Sequence, residues 1–390
     1  MSRRFYALTS SLIKTLFPIR GQRDMSAVRK ILVIGAGGIG DVLMKTSLFD
    51  SLRRGFPSAE IVFFTSSGPA HEIMEHHPAI DRFILIEGGE ALSLGRPAET
   101  LRLIRSLRAE RFDAVLTTHY GLSFKGAFFA YILGGPVRAG FDRGGRGRLY
   151  TDRVEVEDVN ARHAVDWNMS LAESLGIDSG SRALSLHLTE KDRGYASEFL
   201  GSSGLDAASP IVALFPGSKR KTRLWPAERF ARLAALLAER YGLRALVLGG
   251  EAERAAAAEI SASITDEADR TGRTRHGPPL VAIGQTIRQT AALIERSSLL
   301  VSCDSGPVHI AAAAGTPVVA LFGPERPERV GPYSTRSAVV RHSLPCSPCF
   351  EMDCRFGLPR CMDLITVEEV AETIDKHSHE WGLDPHVSRR

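Results

Sequence analysis

Four short stretches of this chain set chemically capable side chains in turns. In "ILVIGAGGIGD", residues 31–41, an apolar run breaks into Gly35-x-Gly37-x-x-Gly40 and ends on the carboxylate of Asp41. In "LFPGSKRKTRLWPAERF", Lys219, Arg220, Lys221 and Arg223 crowd together just before a helix start at Trp225-Pro226. In "CDSGPVHIAAAAGTPVVALFGP", a strand ends at Cys303, and the turn Asp304-Ser305-Gly306 leads through Pro307 to His309. "LVLGGEAER" puts Glu251 at a further strand end. A carboxylate can take a proton, while cations, a hydroxyl and the free N–H groups of a helix start can hold an anion such as a diphosphate.

The glycine spacing by itself suggests a dinucleotide loop, but its partner is missing. A nicotinamide-binding unit needs an acid about 20 positions on, at the C-terminal end of the second strand, to hold the adenine ribose. Here that end reads Thr65, Ser66, Ser67, and Glu60 sits at the opposite end of the strand. Asp41 would also repel a pyrophosphate: two charges 4 Å apart cost about 4 kcal/mol at an effective dielectric near 20. The loop is therefore expected to let a bulky substrate approach the backbone, with Asp41 aimed from the carboxyl edge of the sheet. From this stretch alone, Asp41 as a general base and Asp41 as a cap of its own helix both stand. Glu251 likewise reads as a cap or as a ribose ligand, and the cation run as a solvated surface or an anion site.

The elements that must position these groups alternate. Strands are expected at residues 31–34, 61–64, 83–86 and 114–117, with the helical stretch "VLMKTSLFDSLRRGFP" between the first two. "GGPVRAGFDRGGRGRLYTDRVEVED" reads as a Gly- and Arg-rich loop, and "HAVDWNMSLAESLGI" as a helix with a glycine stop. The rhythm restarts after "GSSGLDAASP", with strands at 211–215, 245–248, 299–303 and 318–322. This is βαβ order, hence parallel sheets, and two doubly wound domains joined near residue 205 are the simplest account. The expected layout is a basic arm at 1–29, a first Rossmann-like domain at 30–204, and a second at 205–390 ending in a helix.

Composition sets bounds. The 390 residues exceed one ordinary core, at about 150 residues per domain. With 44% apolar and 24% charged residues and a net charge of +4, the chain is neither disordered nor membrane-spanning, and carries no nucleic-acid footprint. The arm repeats Phe5, Leu8, Leu12, Ile13, Leu16 and Phe17 at helical spacing among Arg3, Arg4, Lys14, Arg20 and Arg23, which suits either an anionic membrane surface or packing on its own domain. With no secretory signal, the expected compartment is cytoplasmic, associated with the inner face of the membrane if the arm binds lipid. Cys346, Cys349, Cys354 and Cys361 are spaced so that only the first pair forms a Cys-x-x-Cys knuckle; zinc and plain reduced thiols both remain open.

In the order and spacing quoted, "GIGDVLMKTSLFDSLRRGFPSAEI", "FPGSKRKTRLWPAERFARLA", "GGEAER" and "CDSGPVHIAAAAGTPVVALFGP" resemble glycosyltransferase family 9, the ADP-heptose:lipopolysaccharide heptosyltransferases and their relatives. The resemblance runs from about Lys30 to Val370. It implies a GT-B fold of two facing Rossmann-like domains, with acceptor bound on the first, nucleotide sugar on the second, and transfer in the cleft between them. It implies that Asp41 is the general base, and that Arg223, near Lys219, lies by the diphosphate where the family often has a lysine. Glu251 falls at a nucleotide-ribose position, and Asp304, Ser305, Gly306 and His309 match the diphosphate and sugar-binding turn, with Ser305 where Thr is common.

Inverting transfer without a metal or other cofactor is then expected, from a nucleoside-diphosphate sugar, heptose from ADP-heptose, to a lipid-linked saccharide of the lipopolysaccharide core. No Asp-x-Asp cluster is present to hold a divalent ion. The acceptor side is expected at Gly38 and Gly40 and at the basic loop carrying Arg138, Arg143, Arg146 and Arg148, which reads equally as a mobile basic surface loop. Three alternatives remain: an NAD(P)-dependent oxidoreductase, which fits the glycines but not Asp41; a non-hydrolysing sugar-nucleotide epimerase, which would turn over without an acceptor; and a sugar-nucleotide-binding module.

Overall fold

Runs such as Ile31-Leu32-Val33 and Val318-Val319-Ala320 are wholly buried. Continuous apolar runs of this kind belong to parallel strands covered by helices on both faces. The computed structural model describes residues 25–35, 37–86, 97–119, 123–178, 180–271, 277–349 and 351–384. The expected N-terminal arm lies outside them, apart from residues 25–29.

In the first unit, which ends at Arg182, the strands are β1 (Lys30–Ile34), β2 (Glu60–Thr65), β3 (Arg82–Leu85), β4 (Ala114–Thr117), β5 (Val137–Asp142) and β6 (Asp152–Glu155). They form one sheet in the order β3-β2-β1-β4-β5-β6. Every pairing is parallel, and Ile31 stands between Ile61 and Ala114. The second unit, from Ala183, repeats the plan with β7 (Ile211–Phe215), β8 (Arg244–Gly249), β9 (Leu280–Ile283), β10 (Leu299–Cys303), β11 (Val318–Phe322) and β12 (Ser337–Arg341). Its order is β12-β11-β10-β7-β8-β9, again wholly parallel. Read from β1 or β7, the chain winds outward one way for three strands, then returns and winds the other way. The two switch points therefore lie between β1 and β4 and between β7 and β10, where open sheets of this kind bind ligands at their carboxyl edges.

Amphipathic helices cover the sheets. Helix Ala227–Tyr241 buries Phe230, Leu233, Ala234, Leu237 and Tyr241 along one face, and Gly242 (φ 67°) ends it in the left-handed conformation that glycine adopts without strain. The expected single helix after β1 is two, Ile39–Leu43 and Thr46–Gly55. Between them the Lys45 N–H bonds to Val42 O, and the Thr46 hydroxyl donates to Leu43 O at 2.8 Å, closing the first helix from the side.

Two expectations are corrected. The stretch 134–158 is not a loop: it holds β5 and β6. Gly140 lies inside β5 because the Tyr150 ring packs where its β-carbon would be, with the Tyr150 hydroxyl bonded to Thr117. The unit boundary also falls earlier than residue 205. Helix Glu190–Gly201 packs on helix Ile287–Arg296 of the second unit, and Asp192 pairs with Arg288 between them.

That pair is buried, with side chains 11% and 8% exposed. Burial opposes the Asp192 charge, but hydrogen bonds from Arg288 and Thr189 overcome it and hold the carboxyl down at about 2. Since the folded value lies below the ordinary 3.8, the stabilisation is complete above about pH 4 and fades as pH falls toward 2. Asp192→Asn is expected to cost about 3 kcal/mol at pH 7 by leaving Arg288 buried without its counter-charge. Urea unfolding at pH 7 checks this; a change below about 1 kcal/mol would show the pair to be effectively solvated.

Candidate functional site

In the first unit, β1 runs into the glycine loop and helix Ile39–Leu43, whose cap position is Gly38. Asp41 stands at the third helical position and turns back, so that Oδ2 accepts from the Gly38 N–H at 2.8 Å. Gly37 makes room for this. Its φ is 128°, and a β-carbon there would lie 2.5 Å from Asp41 Cβ and 2.6 Å from Oδ2. The glycines thus shape the loop around a carboxylate, which occupies the helix start where a dinucleotide phosphate would otherwise go. Asp41 remains exposed at the carboxyl edge of the sheet.

Two basic side chains beside Asp41, Lys45 and His119, stand outside the sequence expectation. Lys45, one turn after Asp41, is 5% exposed and donates from Nζ to the Asp41 carbonyl at 2.6 Å. Burial pulls its pKa down to about 8, and the Asp41 charge only partly offsets this. His119 follows β4, across the switch point. Partial desolvation, with the Lys45 charge, holds its imidazole below the ordinary range while Asp41 pulls the other way. Asp41 therefore shares its surroundings with a lysine and a histidine that are both held less basic than usual. The i, i+4 spacing of Asp41 and Lys45 was visible in the sequence; the approach of His119 depends on β1 pairing with β4.

Of the expected acceptor-side residues, Gly38 gives its N–H to Asp41, and Gly40 lies in the first turn of the same helix. Arg143 and Arg146 are exposed in the turn after β5, on the same edge. Arg138 is structural: its guanidinium bonds Leu149 O and Gly135 O and lies over Tyr131.

In the second unit, the loops after β7, β10 and β11 meet. Arg223 closes the turn Lys221–Arg223 after β7, with Nη1 3.1 Å from Asp304 Oδ2 and Nη2 3.1 Å from Glu325 Oε2. Asp304 and Glu325 are 4% and 3% exposed. Arg220 lies 3.8 Å from Glu325. Burial pushes Asp304 up to about 6; Arg223 pulls it down and Glu325 pushes it further up. Arg223 is thus not a free cation at the edge. It ties the β7 loop to the β10 and β11 loops, and Glu325 is the partner that sequence reading missed. Lys219 is exposed in the same loop.

Helix Gly306–Ala314 starts immediately after this junction. Ser305, at its cap, turns its hydroxyl to the Cys303 carbonyl at 3.1 Å, so no side chain caps the helix. Pro307 has no N–H and the Val308 N–H bonds Ser305 O at 3.2 Å, which leaves the Gly306 N–H as the first-turn donor toward an anion, with His309 buried beside it. Glu251 is exposed after β8, paired with Arg254, and its Oε1 reaches the space beside Gly284 after β9. Its neighbour Glu253 does the local work: Oε2 accepts from Gly250 N–H at 2.9 Å, and the side chain packs over Gly217 and Gly249. This repeats the Gly38–Asp41 arrangement in the second unit.

Among the cysteines, Cys361 is buried, and Cys346, Cys349 and Cys354 are half-buried. Burial raises the Cys361 thiol, with Cys349 and Cys346 near enough to add to the effect. Among the described residues, no three His, Cys, Asp or Glu side chains are placed to share a metal ion. No helix among them is long and apolar enough to cross a membrane.

Comparisons with known proteins give the family and the fold. Residues 100–359 match the family described as glycosyltransferase family 9 (heptosyltransferase). The lipopolysaccharide heptosyltransferase 2 of Salmonella typhimurium is 27% identical over 360 residues, covering 91% of this chain and all of that one. The enzyme of the same description from Escherichia coli K12 is 28% identical over 356 residues, covering 89% and 97%. Among solved structures, a family 9 glycosyltransferase from Veillonella parvula superposes with a TM-score of 0.72 at 24% identity, over 90% of this chain and 97% of that one. E. coli ADP-heptose lipopolysaccharide heptosyltransferase II gives 0.68 at 24%, over 90% and 99%. These likenesses show the GT-B type of fold.

Proposed function

Because the chain belongs to glycosyltransferase family 9, we propose that it transfers heptose from ADP-heptose to a lipopolysaccharide-core acceptor at the cytoplasmic face of the inner membrane. The observation that carries the reading is the carboxylate of Asp41, held over a glycine loop built around it and placed where a nucleotide-binding loop would keep a phosphate.

In the proposed reaction Asp41 takes the proton of an acceptor hydroxyl. The oxygen forms its bond to the anomeric carbon as the bond to the diphosphate breaks, and ADP leaves with the electron pair, inverting the anomeric centre. Lys45 and His119 set the charge around the base. The open start of helix Gly306–Ala314, with Ser305, Gly306, His309 and Lys219, meets the diphosphate. Arg223 and Asp304 hold that turn in place, and Glu251 reaches toward the nucleotide ribose. Arg143 and Arg146, with the backbone of Gly38 and Gly40, line the acceptor side.

The test is incubation with ADP-heptose and a core-truncated lipopolysaccharide, read by ADP release and by the mass of the acceptor. A mass gain of one heptosyl group is expected, and it should persist in EDTA because side chains and a helix terminus supply the positive charge. Loss of activity in EDTA would remove the metal-independent mechanism. Turnover of the nucleotide sugar without any acceptor would replace the reading with epimerisation.

A further inference from the structure

Two helices of the first unit carry large apolar side chains on their outer faces. Leu101, on helix Pro97–Ala109, is 47% exposed; Phe124 and Phe128, one turn apart on helix Ser123–Leu133, are 51% and 44% exposed. The two rings stack on each other, 6.2 Å between centroids and 8° between planes. Isolated exposed apolar residues are ordinary, but a cluster containing two stacked phenyl rings marks an interaction surface.

Topology brings the three together. Helix Pro97–Ala109 joins β3 to β4, and helix Ser123–Leu133 joins β4 to β5. Both crossovers run the same way along a parallel sheet, so with right-handed connections both helices lie on one face and start at the carboxyl edge. They touch, and the Arg108 guanidinium donates to Ile132 O at 2.6 Å. Carrying that offset back two turns sets Leu101 level with Phe124 and Phe128. The apolar cluster therefore lies toward the edge that presents Asp41.

The charge around it is predominantly positive. Arg102, Arg105, Arg108 and Lys125 are exposed beside these residues, and the one acid of the two helices is Glu99. No ion pair involves Arg102 or Arg105 among the described residues. Aromatic and leucine side chains ringed by arginine and lysine fit the boundary between acyl chains and anionic headgroups, where the rings bury and the cations stay in the headgroup layer.

We propose that the outer faces of helices Pro97–Ala109 and Ser123–Leu133 form the surface by which this protein docks on an anionic phospholipid bilayer. The proposal rests on the reading of the acceptor as lipid-linked: docking at this face brings the edge with Asp41 to the layer in which such an acceptor is anchored.

The test is sedimentation of the full chain with vesicles of phosphatidylglycerol and phosphatidylethanolamine, against vesicles of phosphatidylcholine. Wild type is expected to bind the anionic vesicles in a salt-sensitive way and not the neutral ones. Phe124→Ser with Phe128→Ser, and separately Arg102→Glu with Arg105→Glu, should each weaken binding by about tenfold or more, with unchanged melting temperature. Deletion of residues 1–24 should leave binding that the phenylalanine pair then removes. Unchanged binding in both paired variants overturns the proposal, as does absence of binding in wild type or its complete loss with residues 1–24. Transfer to a water-soluble acceptor is scored alongside. A protein that transfers but does not dock loses only the surface, and one that docks but transfers nothing loses only the reaction.

Discussion

Asp41→Asn is expected to lower the transfer rate by about 10² to 10⁴ while leaving affinity for the nucleotide sugar nearly unchanged. The amide oxygen can still accept from the Gly38 N–H, so the loop geometry that depends on that 2.8 Å bond survives, but the proton acceptor is gone. Asp41→Ala removes both functions and should add a loss of stability of about 1 kcal/mol, the usual worth of a helix-capping side chain. Comparing the two separates catalysis from capping, the alternatives that the sequence left open. Measured by initial rates with saturating ADP-heptose and by calorimetry for the nucleotide, an Asp41→Asn protein with near wild-type turnover would reduce Asp41 to a cap.

The second large effect is expected at Arg223. Its guanidinium lies between two carboxylates, Asp304 and Glu325, whose side chains are 6% and 4% exposed. Arg223→Met leaves both acids buried with Arg220 and Arg329 as the remaining, more distant cations, and should cost about 3 to 5 kcal/mol at pH 8. The pH dependence has a definite sign. Asp304 already sits at about 6, above the ordinary 3.8, so its contribution to stability is complete below about pH 4 and is lost as pH rises through 6. Without Arg223 its pKa climbs further, and a protonated Asp304 needs no cation. The deficit of the variant should therefore shrink between pH 8 and pH 5 in urea unfolding. An equal deficit at both would show that Arg223 acts through packing.

ADP-heptose binding should also weaken by about tenfold or more in Arg223→Met. Exposed Lys219 is the control, since Lys219→Ala should reduce nucleotide affinity with little change in unfolding. Unchanged affinity in both variants would move the donor site elsewhere.

The two-sheet plan was legible because its interior strands are continuous apolar runs. β1, β2, β4, β7, β8, β10 and β11 stand where such runs stand. The strands that sequence reading passed over have physical reasons to hide. β6, β9 and β12 are edge strands: β6 is mostly polar, and β9 and β12 are short and leave Val281 and Val339 exposed. β5 carries Arg138 and Gly140, residues that read as loop until the Tyr150 ring is seen against the glycine.

In the site, Asp41 and the Asp304 turn announced themselves through turn residues adjacent in the chain. Glu325 did not, because its link to Arg223 spans 102 residues and exists only once β11, β10 and β7 lie side by side. Likewise the cations after β7 looked alike as a run. Only folding divides them into Arg223, locked between acids, and Lys219, open to a ligand.

Cys303 ends β10 wholly buried, with the Trp225 N–H donating to its sulfur at 3.4 Å and Pro216 O 3.7 Å away. Burial pushes its thiol up to about 12, so in the closed protein it is neither ionised nor reachable. A thiol reagent must then wait for the second unit to open, and the slow modification of Cys303, followed at that residue because Cys361 is buried as well, becomes a clock for that opening. Any nucleotide sugar held at the Asp304 turn slows the clock by the factor one plus its concentration over its Kd. The sulfur beneath the turn thus offers a kinetic readout of donor occupancy that requires no acceptor and no turnover.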